Sequence, residues 1–197
     1  MKANAIALHL TEDEYLALED EADEKHEFVN GEMIAMSGGT PAHAAIAANL
    51  AGELRTLLKG RPCLVLSSDV RVSVGPTGMY TYPDLSIVCG RPQYAPKSRV
   101  TITNPLVLVE VLSDSTEAYD RGAKSAHYRH IESLKAYILV SQAPRRIEVF
   151  TRMPAGGWLL NEAQEGELRI PCLEVALSVD EVYLNLELLE DEPPAEA

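Results

Sequence analysis

Cysteine is scarce in this sequence, and the positions of its cysteines exclude two common roles. The chain contains only Cys63, Cys89 and Cys172, which are far apart and each lie in an apolar segment with the character of a strand. An odd number of scattered cysteines is not the pattern of a disulfide framework, and cysteine metal sites are built from closely spaced pairs. The sequence therefore predicts three buried thiols.

Long hydrophobic runs are also missing. No apolar stretch approaches the roughly 20 residues of a membrane-spanning helix, and the amino-terminal apolar run is too short for a secretory signal. Hydrophobic residues make up 46% of the 197 residues and charged residues 24%, as in ordinary soluble proteins with one substantial core. We expect a cytoplasmic protein with a single domain over residues 1–185 and an acidic tail over residues 186–197.

Basic residues are few in comparison with acidic ones. Lysine and arginine number 17 against 30 aspartates and glutamates, which gives a net charge of −13. Proteins that hold nucleic acid by bulk electrostatics are usually basic, since neutralised phosphates release counterions. The segments 19–27 and 186–197 carry part of the acidic excess, and the rest of the chain is still mildly acidic. Any binding of nucleic acid must therefore depend on a local site and a metal ion.

Periodicity and turn residues predict alternating helices and strands. Thr11 and Glu14 form a capping box for a short helix, and Asn30-Gly31 is a typical turn of a β-hairpin. Thr40-Pro41 begins a second helix, which ends near Gly60. The remaining predicted elements are strands at 63–74, 83–89, 105–112, 136–141 and 145–152, a helix at 117–131, weaker strands around Trp158 and Ile170, and a helical turn at 178–183.

One carboxylate interrupts an otherwise apolar strand. In the segment NPLVLVEVLSDST, residues 104–116, Glu110 shares a strand face with Leu106, Leu108 and Leu112 because side chains alternate along a strand. An unpaired carboxylate in such a place costs several kcal/mol or stays protonated. The sequence therefore predicts that Glu110 has a partner in the folded protein.

Two further charged residues lie on the neighbouring elements. Asp84 follows a proline and stands at the entrance of the preceding strand. In the segment YDRGAKSAHYRHI, Asp120, Lys124 and Tyr128 recur every four residues, which places them one above another on a helix. Lys124 also precedes Ile131 by two helical turns, so we expect its side chain to face inward, where a lysine needs an anion.

Two carboxylates and an inward lysine suit metal-assisted phosphoryl chemistry. Magnesium is usually held by one or two carboxylates together with waters and substrate phosphate, and Asp84 and Glu110 would supply the carboxylates. A lysine within reach helps to hold the attacking water and offsets charge on the phosphate. Buried pairs of glutamate and lysine also occur in structural cores, so the spacing alone leaves both interpretations open.

Several segments together resemble a known family. They are YPDLSIVCG, PLVLVEVLSDST, YDRGAKSAHYR and KAYILVSQAPRRIEVF, in the order and spacing of the Uma2 endonuclease family of the PD-(D/E)XK nuclease superfamily. With HEFVNGEMIAMSGGTPAHAAIAANL upstream, the resemblance covers about residues 8–185. It implies a fold of the α/β (α+β) class with a mixed sheet. The fold would consist of a restriction-endonuclease-like core with an amino-terminal helix and hairpin, and would hold a divalent metal at a carboxylate cluster.

The resemblance also implies roles for individual residues. Asp84 matches the aspartate of the family's Pro-Asp motif, and Glu110 matches the acidic residue on the next core strand. The superfamily places a lysine two residues after this glutamate, where this chain has Leu112, and Lys124 sits where the Uma2 family has its own lysine. We therefore expect Asp84, Glu110 and Lys124 to be catalytic. Mg²⁺, with Mn²⁺ as a substitute, would be held by Asp84, Glu110 and the backbone carbonyl of Val111.

Other residues are accessory candidates. His43 lies on the apolar stripe of its helix and is either a satisfied core group or, as the resemblance implies, near the metal-bound water or the phosphate. Glu27 and Glu32 flank the hairpin turn; Glu27 is a candidate to face the cluster, whereas we expect Glu32 to be exposed. Asp120 is expected to pair with Lys124 or to cap its helix. Two residues are expected to be structural: Asp69 and Tyr128.

These features predict a magnesium-dependent endonuclease that hydrolyses phosphodiester bonds in DNA. In-line attack by a water that Lys124 positions would leave a 5′-phosphate and a 3′-hydroxyl, as the resemblance implies. The alternative is a catalytically silent binding module that keeps the fold and acts as a partner in a larger system, which the acidic charge favours. The sequence does not specify the oligomeric state, although a homodimer is common for this kind of nuclease.

Overall fold

The computed structural model describes residues 9–36, 38–96 and 98–189. Within these ranges the helices are α1 (Glu12–Glu21), α2 (Pro41–Leu57), α3 (residues 117–128) and α4 (Val179–Val182). The strands are β1 (His26–Val29), β2 (Glu32–Ala35), β3 (Cys63–Ser67), β4 (Arg71–Val74), β5 (Met79–Thr81), β6 (Leu85–Cys89), β7 (Tyr94–Ala95), β8 (Ser98–Ile102), β9 (Val107–Val111), β10 (Ala136–Ser141), β11 (Arg146–Arg152), β12 (Trp158–Ala163), β13 (Glu167–Ile170) and β14 (Val175–Ser178).

The local signals that the sequence carries appear at the ends of these elements. The Thr11 hydroxyl accepts a hydrogen bond from the Glu14 backbone N–H, and the Glu14 carboxylate accepts one from the Thr11 N–H, which completes the capping box of α1. Asn30 and Gly31 have φ angles of 52° and 87°, as the tight turn between β1 and β2 requires. Thr40 caps α2 and Pro41 occupies its first turn. These predictions are confirmed.

Twelve of these fourteen strands form two six-stranded sheets, and β13 pairs with β14 in a separate two-stranded sheet. Sheet I has the order β2-β1-β5-β4-β8-β7, and sheet II has the order β12-β11-β10-β9-β6-β3. In sheet II, β9 and β10 are parallel and α3 lies between them in the chain, whereas β6 runs antiparallel to β9 with Leu85 opposite Val109. Since Asp84 precedes Leu85 and Glu110 follows Val109, this register brings the two carboxylates to the same place on the sheet.

Sheet II is covered on both faces. Alternate residues of β9, Val107, Val109 and Val111, pack in one apolar cluster with Ile46, Leu50 and Leu54 of α2. The opposite face packs in a second cluster that includes residues from sheet I, from β9 and the residue after it, and from α3: Val72, Val74, Leu108, Leu112 and Tyr128. Glu110 alternates with the valines and therefore lies on this second face, between the two sheets.

The prediction of one strand over 63–74 is wrong. The segment forms two strands, β3 in sheet II and β4 in sheet I. A turn separates them, in which the Ser67 hydroxyl donates to the Asp69 carboxylate and the Val70 N–H donates to the Ser67 carbonyl. Such side-chain contacts of Ser and Asp compete with strand pairing. The short strands β5, β7, β8 and β14 were not predicted, because two to five residues carry too little alternation.

The prediction of three free thiols is also wrong for two of the cysteines. Cys63 on β3 and Cys89 on β6 are cross-strand partners, and they form a disulfide with an S–S distance of 2.00 Å. Cys172 is a free thiol, and burial raises its pKa to about 11. Because 26 residues separate the two bonded cysteines, their contact depends on the pairing of β3 with β6, which the cysteine spacing does not reveal.

None of the helices in the described ranges is long and apolar enough to cross a membrane. The cytoplasmic location and the single domain over residues 1–185 stay predictions. Of the predicted acidic tail, Leu186–Leu189 forms a 3₁₀ turn, and residues 190–197 lie outside the described part of the chain, as do residues 1–8.

Candidate active site

Asp84 is fixed at the junction of β6 and β9. Its Oδ2 atom accepts a hydrogen bond from the backbone N–H of Val111 at 2.7 Å. The same oxygen lies 3.3 Å from Nε2 of His43, and the Asp84 side chain keeps 18% of its surface exposed. The strand entrance therefore aims a partly accessible carboxylate toward the end of β9.

Glu110 is buried near Asp84, and it has partners, as the sequence predicted. Its Oε1 accepts a hydrogen bond from the Tyr128 hydroxyl at 2.7 Å and lies 2.9 Å from Nζ of Lys124. Burial raises the pKa of Glu110 to about 8; the Lys124 charge opposes this rise, and the charges of Asp84 and Asp120 add to it. Both contacts use Oε1.

Lys124 lies at the centre of the cluster and is 5% exposed. Its Nζ is 2.9 Å from Glu27, 2.9 Å from Glu110 and 3.5 Å from Asp120. Burial by itself would lower the pKa of the Lys124 ammonium, but the three carboxylates outweigh it and raise this pKa well above its usual value. Lys124 is the inward-facing lysine that the helical spacing predicted, and the predicted pairing with Asp120 is present.

Helix α3 departs from regular α-helical geometry between Asp120 and Lys124. It is α-helical over Glu117–Tyr119 and Ser125–Tyr128, and it has π-helical hydrogen bonding over Asp120–Lys124. Single π-helical turns often occur at functional sites because they redirect side chains. The wider turn includes both residues of α3 that form ion pairs in the cluster.

Sheet I contributes Glu27 from the hairpin. Glu27 is buried on β1, where the Thr81 hydroxyl of β5 donates to its Oε1 atom and Lys124 approaches the same oxygen. Glu32, on the other side of the turn, is exposed. The predicted difference between the two glutamates is therefore confirmed, and the cluster joins the two sheets.

His43 lies in the first turn of α2 and faces Asp84. The hydrogen bond to Asp84 raises the pKa of His43; burial opposes this rise, and the nearby Val111 carbonyl adds to it. A Cβ atom at Gly39 would lie 2.8 Å from Nδ1 of His43, so the loop before α2 can approach the ring only where a side chain is absent. The structure thus places His43 beside the acidic residues rather than in the apolar core.

These side chains line one cavity of about 440 Å³. Every residue predicted for the site lies on its wall: Glu27, His43, Asp84, Glu110, Val111, Asp120 and Lys124. Their roles in binding and catalysis stay predictions. Asp69 is elsewhere and exposed, where it pairs with Lys25 at 2.6 Å.

The charges in the cavity favour a bound cation. The described residues on its wall include four carboxylates and one lysine ammonium: Glu27, Glu110 and Asp120 lie within 3.5 Å of Nζ of Lys124, and Asp84 lies beside His43. No group of three or more His, Cys, Asp or Glu side chains in the described ranges is arranged to hold a metal. Magnesium needs only one or two carboxylates with waters and substrate oxygens, so Asp84, Glu110 and the Val111 carbonyl fit a hard divalent cation.

Sequence reasoning missed part of the wall. It did not single out Tyr119, the loop residues Ser113, Ser115 and Thr116, or Gly39. Tyr119 directly precedes Asp120 within the YDRGAK segment, so its position in the motif was the available signal. The loop with Ser113, Ser115 and Thr116 looks like an ordinary turn in sequence. Its position in the cavity follows from the way the chain connects β9 to α3.

The fold and this site define a protein of the restriction-endonuclease-like class. A crystal structure from Anabaena variabilis, described as "a putative nuclease belonging to DUF820", has a TM-score of 0.70 with 18% sequence identity. The match covers 88% of this chain and 97% of the other. The agreement at this low identity shows that the two proteins share a fold.

The chain belongs to the Uma2 family. The family's sequence pattern, described as "Putative restriction endonuclease", matches residues 12–186. An uncharacterised protein of Synechocystis sp. is 37% identical over 178 residues, 90% of this chain and 93% of the relative. A second uncharacterised Synechocystis protein is 34% identical over 153 residues, 78% of this chain and 86% of the relative. The resemblance found in the sequence is confirmed.

Proposed function

We propose that the protein is a magnesium-dependent endonuclease that hydrolyses phosphodiester bonds in DNA. The observation that carries this proposal is the convergence of Asp84, Glu110 and Lys124 on one cavity, from the neighbouring strands β6 and β9 of sheet II and the helix α3 that follows β9. The family's description as restriction endonucleases supports the reaction class. DNA is the substrate that this description favours.

The metal site would consist of Asp84, Glu110 and the Val111 carbonyl. When bound there, Mg²⁺ would polarise the phosphoryl group and lower the pKa of its water. Mn²⁺ would be accepted as well, since the same carboxylate and carbonyl oxygens suit it. Once Glu110 is ionised, the negative charge on the cavity wall exceeds the positive charge of Lys124 and His43, which favours the binding of a cation.

The protein's own residues would position and neutralise the reacting groups. Lys124 offsets the negative charge that the phosphate brings, and it would help to hold the attacking water. Glu27 and Asp120 keep the ammonium in place. His43, next to Asp84, is the group on the α2 side of the cavity that would contact the phosphate. In-line attack would leave a 5′-phosphate and a 3′-hydroxyl.

DNA binding would be local, because the chain carries a net charge of −13 and lacks bulk attraction for phosphates. The side chains at the end of β9 would contact the DNA backbone at the reacting phosphate. The bound cation would supply the positive charge there. A homodimer would let two such sites act on two strands, and it stays a prediction.

The test is incubation of purified protein with supercoiled, linear and single-stranded DNA in Mg²⁺, Mn²⁺ or EDTA. We expect cleavage with either ion and none in EDTA, with 5′-phosphate ends on the products. Glu110→Gln, purified in parallel, controls for contaminating nucleases. Equal cleavage by wild type and Glu110→Gln would assign the activity to a contaminant and contradict the proposal.

A binding module without catalysis is the second candidate, and one observation favours it. Nζ of Lys124 has three carboxylates within 3.5 Å, so each N–H of the ammonium already faces an acceptor. Such a closed cluster is also what a structural core would contain. Binding of DNA with no cleavage under any of the metal conditions would select this candidate.

A further inference from the structure

Part of the wall of the charged cavity is apolar and open to solvent. Ile34, at the end of the hairpin strand β2, and Met36, just after it, line the cavity together with the carboxylates and Lys124. The Ile34 side chain is 44% exposed, and Met36 is partly exposed. Single exposed aliphatic residues are common on protein surfaces and need no explanation by themselves. The position of these two beside the charged cluster does need one.

The pairing of the hairpin strands sets the direction of the Ile34 side chain. Ile34 is the direct partner of Glu27, and side chains of paired residues project from the same face of a sheet. On that face Glu27 lies 2.9 Å from Nζ of Lys124. Phe28 and its partner Met33 project from the other face and pack with residues of α1. Ile34 therefore projects toward the side of the hairpin on which the charged cluster lies.

Met36 projects from the same face. Its backbone N–H donates to the Lys25 carbonyl at 2.9 Å, so the antiparallel pairing continues one step beyond the last residue of β2. Side chains two residues apart on a paired strand share a face, which places Met36 beside Ile34. We call these two side chains the apolar ridge of the cavity.

A nucleotide has both kinds of surface that this cavity offers. Its phosphate carries the charge that a cation at Asp84 and Glu110 would attract, whereas the faces of its base are largely apolar. Proteins use Ile and Met side chains to contact bases in this way, often by insertion beside an unstacked base. The cavity volume of about 440 Å³ is in the range of sites that enclose one small molecule, and a DNA duplex is far larger.

We propose that the apolar ridge of Ile34 and Met36 packs against the base next to the reacting phosphate, so that the cavity takes an unpaired nucleotide in preference to a paired one. In a duplex the faces of each base are covered by its stacked neighbours, and the base reaches such a ridge only by leaving the stack. This inference rests on the proposed nuclease function and names the class of DNA on which it acts.

The first measurement compares three forms of one DNA sequence with the wild-type protein: the single strand, the perfect duplex, and the duplex with a short central bubble. Cleavage is followed at steady state in Mg²⁺, and the cut positions are mapped on a sequencing gel. We expect kcat/KM to be about tenfold or more higher for the single strand than for the duplex, because a paired base must first leave the stack. Cleavage of the third substrate should be confined to the bubble. Equal kcat/KM for single strand and duplex would overturn the proposal.

The second measurement tests the ridge with Ile34→Thr, which keeps the branched Cβ and makes the side chain polar. Leu64→Thr is the matched control, since Leu64 on the edge strand β3 is 45% exposed and is not part of the cavity wall. For Ile34→Thr we expect KM in Mg²⁺ and the Kd of the single strand in Ca²⁺ to rise about three- to tenfold, while kcat changes less than about twofold. Ile34→Val, which keeps an apolar side chain, and Leu64→Thr should both stay close to wild type.

Three results with the variants would overturn the proposal: an unchanged KM in Ile34→Thr, an equal rise in Leu64→Thr, or an equal rise in Ile34→Val. A change of Ile34→Thr from dimer to monomer on gel filtration, with an unchanged Kd for DNA, would overturn it by assigning the ridge to a contact between copies of the chain. In all of these cases cleavage by wild type leaves the proposed nuclease function standing. If wild type cleaves none of the three substrates, the proposed function fails and this inference fails with it.

Discussion

Nζ of Lys124 lies 2.9 Å from Oε1 of Glu110, and both side chains are almost fully buried. Glu110 comes from β9 and Lys124 from α3, so the pair joins a strand to the crossover helix that follows it. Two residues after Glu110, Leu112 packs in the apolar cluster between the sheets. The positive charge beside Glu110 therefore comes from the helix, four residues after Asp120.

The two proposed metal ligands should act as one unit. Asp84→Ala and Glu110→Ala are each expected to reduce metal-dependent cleavage by about a hundredfold or more, and the double variant should be little worse than either. The measurement is initial cleavage of supercoiled DNA in Mg²⁺. Glu32→Gln is the control, since this exposed hairpin carboxylate lies outside the cavity wall. Activity that survives both substitutions would contradict the assignment.

Lys124 should contribute to turnover and to stability at once. Lys124→Met leaves three carboxylates without their cation, so we expect unfolding at neutral pH to become easier by about 3 to 5 kcal/mol and cleavage to be lost. Adding Glu27→Gln should restore part of the stability but not the turnover. Urea unfolding and cleavage assays measure the two effects separately.

The exposed pair of Lys25 and Asp69 provides the comparison. Both side chains are well exposed, at 41% and 80%, so Lys25→Met should cost at most about 1 kcal/mol and leave cleavage unchanged. Wild-type turnover in Lys124→Met would return Lys124 to a purely structural role.

The sequence predicted those parts of the site that depend on residues close together in the chain, and it missed those that depend on contacts between distant elements. Glu110 stood out because alternation along one strand made a carboxylate conspicuous, and Lys124 because helical spacing set its direction. These signals extend over a few residues. The cavity position of Tyr119 and the disulfide between Cys63 and Cys89 depend instead on how distant elements pack, which no local pattern encodes.

The division between the sheets was the harder part of the fold. The segment 63–74 looked like one continuous strand because β3 and β4 both have strand character, and only the turn at Ser67 and Asp69 separates them. Sheet I was not foreseen as a separate layer because its strands β5, β7 and β8 are short. Sheet I matters to the site because Glu27 on its strand β1 lies 2.9 Å from Nζ of Lys124.

Of the two glycines in the loop before α2, Gly38 should tolerate substitution by alanine and Gly39 should not. A Cβ at Gly39 would lie 2.8 Å from His43 Nδ1, whereas a Cβ at Gly38 meets nothing within 4 Å. Gly39→Ala must therefore displace the His43 ring from Asp84, and we expect cleavage to fall about tenfold or more if His43 contacts the phosphate. Gly38→Ala should cleave as wild type does. Equal rates for the two variants would show that the position of His43 does not matter.

Stability should fall as the pH rises through the range in which Glu110 titrates. Its pKa is raised to about 8 in the folded protein, above the usual value of about 4.3, so the native state binds more protons than the unfolded state between these limits. The contribution of Glu110 is therefore fully present below about pH 4 and is lost as the pH rises toward 8, at up to about 1.4 kcal/mol per pH unit.

The measurement for this prediction is the free energy of unfolding of wild type and Glu110→Gln from pH 5 to 8, at constant ionic strength. The variant has no carboxyl to titrate, so its curve should be flatter than that of wild type. Parallel curves would show that Glu110 is already ionised at pH 5 in the folded protein.

Metal binding should be visible as stability without any knowledge of the substrate. Asp84 and Glu110 lie on the same cavity wall, and the charge of Asp84 helps to raise the pKa of Glu110, so in the absence of a cation the ionised forms of the two carboxylates repel each other. A cation that binds only the folded state adds about 2.7 kcal/mol at a hundredfold excess over Kd. For a protein of this size, that corresponds to a rise of roughly 5 to 10 °C in melting temperature.

Asp84→Asn separates a metal site from a structural ion pair. The amide oxygen can still accept the hydrogen bond from the Val111 N–H, and the repulsion with Glu110 is removed. In EDTA we expect this variant to melt at or above wild type, and in Mg²⁺ or Mn²⁺ to gain much less than wild type does. The melts are compared at constant ionic strength, with Asp69→Asn as the control because Asp69 is exposed and is not part of the cavity wall. A wild type that is indifferent to millimolar Mg²⁺ and Mn²⁺ would rule out a preformed metal site and favour the binding module, because a cluster closed by Lys124 alone needs no second cation.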